Sequence, residues 1–333
     1  MEYDVVAIGS ATVDQFADTD SELIRIETPT MQEKLIAFPL GSKILVKSLN
    51  LAVGGGGTNC AVTFSRLGLK TAYLGKVGAD GNGDFVIRTL QQEHIDFIGP
   101  REGTTGLSVI LNSFANDRTI LAFKGCNNNL HLHEIKPFET RWVYLASMLG
   151  ESFDTIVSLL AEHDYRVAFN PSNYQAELGY KALQPLLQKV EILVMNLEEA
   201  CKFLGLVYQE HPAAKTLLQR MAQLPPRILV ITDGSEGVHV YDRKHYYRAW
   251  PREGLEVLET TGAGDAFAST FTAACLLDEP IEQAIHLGMT NAESVLIHQG
   301  AKEKLLSREE LYQQAQSFQR KIETEELDAG EPG

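Results

Sequence analysis

Cysteine is scarce in this chain. Cys60, Cys126, Cys201 and Cys275 are the only four in 333 residues, and they form no C-x-x-C pair and no short Cys/His spacing. That pattern argues against a disulfide framework or a zinc site and leaves buried, reduced thiols. Basic charge is short as well: 29 Lys and Arg stand against 44 Asp and Glu, a formal net charge of −15. Such a surface repels phosphate backbones and anionic lipid, so neither a nucleic-acid partner nor a membrane is expected. A small anion still needs only local donors. Long apolar runs are missing too; the longest, Phe267 to Leu277, is interrupted by Ser and Thr and is too short for a bilayer. Met1-Glu2-Tyr3-Asp4 is acidic where a signal peptide is basic, and Asn170-Pro171-Ser172 is a Pro-blocked sequon. These features fit the cytosol.

What is present is regular. Val5-Val6-Ala7-Ile8, Thr71–Leu74, Val143–Leu145, Val167–Phe169, Ile192–Met195 and Ile228–Ile231 read as buried parallel strands. Between them, Asn59–Leu67, Asp84–Glu93, Phe153–Glu162, Glu198–Leu204 and Ala213–Leu224 carry helical patterns. The alternation predicts an α/β fold, a doubly wound, mostly parallel sheet with helices on both faces, filling one domain over residues 1–323. Residues 16–50 contain β-like pieces such as Leu23–Ile26 and Lys43–Val46. Residues 106–123 read as a hairpin, Leu107–Leu111 with Thr119–Phe123, turning at Asn116-Asp117. Together they predict a small separate β-sheet. Residues 324–333, acidic and containing Gly and Pro, are expected to form a flexible tail.

Two glycine-rich stretches carry chemistry. Glu259-Thr260-Thr261-Gly262-Ala263-Gly264-Asp265 runs into the helix-like Ala266–Leu277. Glycines before a helix leave accessible N–H groups in positive potential, which suits an anion, and an acid there can take a proton from an attacking hydroxyl. The same residues also fit a Gly-rich helix start capped by Asp. Gly54-Gly55-Gly56-Gly57-Thr58-Asn59 lets a main chain lie close to a ligand, with the Asn59 amide pointing at it. A flexible turn is the alternative. Neither a Walker A loop nor a G-x-G-x-x-G fingerprint is present. Asp80-Gly81-Asn82-Gly83-Asp84 starts like a calcium loop, but Phe85 and Gln91 break it.

Asn59-Cys60-Ala61 with Gly68 and Gly78 resembles, in spacing, the first signature of the ribokinase-like (PfkB) carbohydrate kinase family. Thr260–Asp265 resembles the second. Asn196-Leu197-Glu198-Glu199 looks like that family's N-x-x-E motif, and Thr232–Gly237 like its nucleotide-site T-x-G-x-x-G. Asn291, before Gly300-Ala301, matches an Asn beside the nucleotide, and Gly9–Asp14 looks like the strand end whose Asp grips sugar hydroxyls. These six motifs stand in the family's order from about residue 4 to about residue 301.

The resemblance implies transfer of the γ-phosphoryl group of ATP to a hydroxyl. Asp265 would be the base, and Gly262, Ala263 and Gly264 would stabilise the transferring phosphoryl. Thr12, Asp14, Gly54, Gly55 and Asn59 would hold the acceptor. Asn196, Thr232, Gly234, Gly237 and Asn291 would contact the nucleotide, and Asn196 with Glu199 would hold Mg2+ through water. Residues 16–50 and 106–123 would form a lid, through which similar proteins form homodimers. Leu23, Ile24, Leu45 and Val46 would supply its apolar outer face. The departures are specific. Glu259 replaces the usual Asp where many members hold a monovalent cation, which leaves that requirement open. Gly56 stands where a Lys is common, and Ala146-Ser147-Met148 has no sugar-binding Glu, so ribose is not the first choice of acceptor. A nucleoside kinase of the same family is the nearest alternative, and an inactive sugar-binding regulator a further one.

Overall fold

The computed structural model describes residues 2–19, 22–28, 31–112, 118–208, 212–298, 302 and 304–327. In chain order the first half comprises β1 (Glu2–Ile8), β2 (Thr12–Thr19), β3 (Glu22–Thr28), β4 (Met31–Ala37), β5 (Val46–Gly54), α1 (Gly56–Arg66), β6 (Thr71–Leu74), α2 (Gly81–Gln92), β7 (Asp96–Phe97), β8 (Gly106–Asn112) and β9 (Arg118–Phe123). Then come β10 (Glu139–Leu145), α3 (Gly150–Glu162), β11 (Arg166–Phe169), α4 (Asn173–Ala182), α5 (Gln184–Leu187), β12 (Val190–Asn196), α6 (Leu197–Phe203), α7 (Ala214–Met221) and β13 (Ile228–Thr232). The chain closes with β14 (Val238–Tyr241), β15 (His245–Ala249), α8 (Ala263–Leu276), α9 (Ile281–Leu296), α10 (Arg308–Gln316) and β16 (Ile322–Glu326).

Each of the six apolar runs read from the sequence is a strand of one ten-stranded sheet, ordered β16-β15-β14-β13-β12-β11-β10-β1-β6-β7. The seven strands from β13 to β7 are parallel, and β14, β15 and β16 add antiparallel. Apolar residues on both faces of β1 explain its central place. Val5 and Ala7 enter the core beneath α1, α2, α8 and α9, while Val6 and Ile8 enter the core beneath α3 to α7. A strand buried on both sides cannot alternate with polar residues.

A second, four-stranded sheet has the order β5-β2-β8-β9. β2 pairs antiparallel with β5 and parallel with β8, and β8 with β9 forms an antiparallel hairpin. β3 and β4 form a separate two-stranded hairpin. The small sheet begins at Thr12, earlier than residue 16, because Thr12 already pairs with Gly54 and Gly106. The expected turn at Asn116-Asp117, the side chains of Leu23 and Ile24, and Gly300-Ala301 lie outside the described residues.

The expected tail needs correction over residues 324–327. Thr324 to Glu326 belong to β16, which pairs with β15 along five positions, and Leu327 is buried. Arg320 explains the docking: its guanidinium makes two bonds to Glu293 of α9, at 2.8 and 2.9 Å, which anchors the segment against the body before the strand starts. Residues 328–333 lie outside the described residues. The four cysteines are free thiols; Cys60, Cys126 and Cys201 are buried and Cys275 is half-buried. Among the described residues no helix is long and apolar enough to cross a membrane.

Candidate active site

The parallel strands end on one edge of the large sheet, and β1 is where the connections diverge, to β6 on one side and β10 on the other. Open α/β sheets bind ligands at such a carboxyl-end switch point. Here the polar residues that follow each strand converge. Ser147 after β10, Asn170 and Ser172 after β11, Asn196 ending β12 and Thr232 ending β13 line a cavity of about 200 Å³ with Gly56, Glu199, Gly264 and Asp265. In-register pairing of Asn196 with Thr232 holds two of these side by side.

Helix α8 opens at Gly262, whose φ of 81° is left-handed and costly for any side chain. That turn brings Gly264 and Asp265 into the first helical turn, where N–H groups have no partner within the helix. Asp265 lies near the junction with α1, and Asn59 Nδ2 donates to its Oδ2 at 2.7 Å. Burial raises the Asp265 carboxyl above the usual carboxylate range, opposed by the Asn59 bond and by the Lys302 ammonium. Asn59 Oδ1 is buried and has no partner among the described residues. A hydroxyl placed between Asn59 and Asp265 could donate to either.

The glycines of the β5–α1 junction are a matter of approach. A Cβ on Gly54 would stand 1.9 Å from Asp14 Oδ2, so only glycine admits that carboxylate. Asp14 is held in turn by Thr12, whose hydroxyl donates to its Oδ1 at 2.9 Å. A Cβ on Gly56 would lie 3.6 Å from Asp265 Oδ1, so the two glycine-rich stretches face each other. Thr58 Oγ1 donates to the Gly54 carbonyl at 2.6 Å and the Gly55 carbonyl at 3.1 Å, closing the turn.

Asn196 and Glu199 form a reciprocal cap on α6. Asn196 Oδ1 accepts from Glu199 N at 2.8 Å, and Glu199 Oε2 accepts from Asn196 N at 2.9 Å. The N-x-x-E spacing is thus also a capping box. Both residues line the cavity, and Glu199 Oε1 takes no part in the cap. Burial raises the Glu199 carboxyl to about 7, with Glu198 and Asp265 adding and the Asn196 N–H opposing. A carboxyl held this high is one that a cation would stabilise. Among the described residues no three His, Cys, Asp or Glu side chains converge on a metal-sized site. The donor set therefore fits magnesium resting on one carboxylate, water and phosphate oxygens, and it does not fit a protein-only cage.

Other expected site residues fall differently. Gly234 and Gly237 shape the turn after β13, where Asp233 N donates to the Gly237 carbonyl at 2.8 Å. Asn291 is not at the cavity. It is fully buried, its Nδ2 donating to Thr270 Oγ1 at 2.7 Å and its Oδ1 accepting from Leu306 N at 2.9 Å. Both ends of the amide are used in tying α9 to α8 and to the segment before α10, so the nucleotide role expected for it is corrected to a structural one. Asp80, the first residue of the apparent calcium loop, caps α2 by accepting from Gly83 N at 2.8 Å.

Sequence reading missed Ser147, Asn170, Ser172 and Lys302. For the first two the signal was available, since each is the polar residue just beyond a buried strand. Lys302 had no local signal; it reaches the β5–α1 junction from nearly 250 residues away, donating to the Val53 carbonyl at 2.6 Å and Thr58 Oγ1 at 2.7 Å.

The profile of the pfkB family of carbohydrate kinases matches residues 4–308. Among curated proteins, an uncharacterized sugar kinase of Archaeoglobus fulgidus is 29% identical over 250 residues, covering 72% of this chain and 97% of the relative. A ribokinase of Haemophilus influenzae is 24% identical over 279 residues, covering 81% and 89%. Among solved structures, the nucleoside kinase of Methanocaldococcus jannaschii, titled an archaeal member of the ribokinase family, superposes with a TM-score of 0.75. It is 19% identical and covers 94% of this chain and 98% of its own. That likeness shows the fold.

Proposed function

The chain belongs to the pfkB family of carbohydrate kinases, and from that premise we propose that it transfers the γ-phosphoryl group of ATP to a hydroxyl of a sugar or sugar-like molecule, with Asp265 as the base. The observation that carries this reading is the Asn59–Asp265 hydrogen bond at the start of α8, beside the glycine turn in which a Cβ on Gly56 would lie 3.6 Å from Asp265 Oδ1. An acceptor hydroxyl oriented by Asp14 and the unpartnered Asn59 Oδ1 would give its proton to Asp265. The N–H groups around Gly262, Ala263 and Gly264 would take the charge on the transferring oxygens. Magnesium, when bound with the phosphates, would neutralise their charge, and Glu199 and Asn196 are the residues that would hold it through water. Thr232, Gly234 and Gly237 would border the nucleotide. The small sheet would act as the lid, excluding water that competes as acceptor.

Register supports a homodimer through that lid. Row Leu51-Gln15-Val109-Leu121 lies on the face away from Asp14; in the neighbouring row Val53 and Val13 are already buried in the core, and only Phe123 at its end is exposed. Leu49, Leu51, Leu121 and Phe123 on that face are more than half exposed. A sheet with one apolar face in water is stabilised by a second copy.

A coupled ADP-release assay with MgATP over sugars, polyols, sugar phosphates and nucleosides tests the reading. ADP formed above the acceptor-free rate with a sugar or sugar phosphate is expected. Turnover confined to nucleosides would favour the nucleoside-kinase alternative. Sugar binding by calorimetry with no ADP formed would replace the enzyme by an inactive binding protein.

A further inference from the structure

Lys302 is a buried cation that the reaction as described leaves without a task. Its residue keeps some surface, but its ammonium ends against the Val53 carbonyl (2.6 Å) and the hydroxyl of Thr58, itself fully buried. The segment carrying it is fastened from behind, where Arg66 Nη1 donates to the carbonyls of Lys302 (3.1 Å) and Leu305 (2.5 Å). Arg66 is also fixed by two bonds to Glu93, at 2.9 and 2.6 Å. A long lysine held at both ends is an ordered strut, and ordering such a side chain costs rotamer entropy that a casual surface contact does not offset.

The strut acts at one place. Val53 is the penultimate residue of β5, and Thr58 is the residue whose hydroxyl closes the turn onto the carbonyls of Gly54 and Gly55. Lys302 therefore clamps both ends of the Gly54–Thr58 turn. The charges facing the ammonium are Asp14 from β2, Asp265 from α8, the Cys60 thiol from α1 and Glu93 at the end of α2. Asp265 is faced by Asn59 and Cys60 from α1, by Tyr144 from β10, by Glu199 from α6 and by Lys302. Among the described residues, Lys302 is the one cation whose charge lowers the Asp265 carboxyl.

We propose that Lys302 is a positioning residue of the phosphoryl-transfer site: it locks the Gly54–Thr58 turn beneath the acceptor and supplies the counter-charge that keeps Asp265 ionised. The role rests on the kinase reading above. Burial pulls the ammonium down to about 7, with Asp14 and Asp265 opposing. The same group thus adds a second titration to the site, near pH 7, beside that of Asp265. Its positive charge is complete below that pH and is lost as pH rises through it.

Two measurements separate this proposal from the reading beneath it. The first needs no acceptor: NMR of the 13Cε signals of labelled lysine, followed from pH 5 to 10 in the free protein. One lysine is expected to titrate near pH 7. Its signal should be absent in Lys302→Arg, and its midpoint should fall in Asp265→Asn, because a lost negative neighbour favours the neutral amine. A protein whose lysines all titrate above pH 9, or a midpoint indifferent to Asp265→Asn, overturns the pairing.

The second is the pH profile of kcat/KM for MgATP, with D-ribose, D-fructose, fructose 6-phosphate and adenosine as acceptor probes. In Lys302→Met the acid limb should move up by about one unit or more. In Lys302→Arg the acid limb should return and the alkaline limb should disappear, since guanidinium stays charged. Unmoved limbs in both variants overturn the positioning role, and thermal unfolding of each variant excludes simple misfolding. Wild type that forms no ADP with any of the four probes would count against the kinase reading and remove the positioning role with it. The lysine titration would still decide the charge pairing.

Discussion

Asp265 gathers the most physical arguments of any residue in the chain. It stands in the first turn of α8, accepts from Asn59, and is partly desolvated. Asp265→Asn keeps the shape and removes the base. We expect kcat to fall by about 10²–10⁴ while ATP affinity from equilibrium titration changes only a few-fold; a variant with half the wild-type rate would sink the assignment. Glu199 shows the opposite tension. Its carboxyl is raised to about 7 in the folded protein, above the unfolded value near 4.5. Such a group favours folding fully below pH 4.5, and that advantage is lost as pH rises through 7. At pH 8 the ionised form carries the desolvation cost that burial imposes on it. Glu199→Gln should therefore raise apo stability at pH 8 by about 1–3 kcal/mol, seen as a higher Tm, and have much less effect at pH 4.5. It should also raise the magnesium concentration for half-maximal rate more than the acceptor KM. An unchanged magnesium curve would remove Glu199 from the metal site.

Elements explain what the sequence discloses and what it conceals. The α8 start was legible because glycine before an apolar helix is a local signature, and local signatures survive without knowledge of the fold. The Asn196–Glu199 pair was visible, but its spacing serves a helix cap and a metal site equally, so spacing alone could not separate them. Asn291 shows the limit of motif transfer: its position matches, yet Thr270 and Leu306 consume its amide. Gly54 is legible only in part. The run of glycines predicts close approach, but that the approaching group is Asp14 emerges only when β2 pairs with β5. Gly54→Ala should drive a methyl into that carboxylate. Misplacing an acceptor ligand by about 1 Å can cost on the order of 10²-fold in kcat/KM, so the acceptor KM should rise while the ATP KM holds. Equal changes in both would place Asp14 outside the acceptor site.

At the scale of the whole molecule, the lid and the large sheet solve the same problem in different ways. The lid leaves Leu49, Leu51, Leu121 and Phe123 facing water. Leu45 and Val46, to which the sequence pattern points, sit just before and at the start of β5 and are exposed as well, but the exposed residues that the register brings onto one face, Leu49, Leu51, Leu121 and Phe123, lie further along. Light scattering at micromolar concentration should find a dimer, and Leu51→Asp/Leu121→Asp should halve its mass; a monomeric wild type would leave the interface unsupported. The large sheet instead ends in a charged, exposed strand, with β16 laid along β15 as its edge and Arg320 fastened to Glu293. This has a consequence for biogenesis. A ribosome releases β16 after every other strand described here, so throughout synthesis β15 presents an open row of backbone donors and acceptors. Until Ile322–Glu326 emerge, the nascent chain carries a template for pairing with its neighbours on the same message. A chain stopped after Lys321 should therefore collect in the pellet on expression, and a soluble yield equal to wild type would show that β15 needs no such cover.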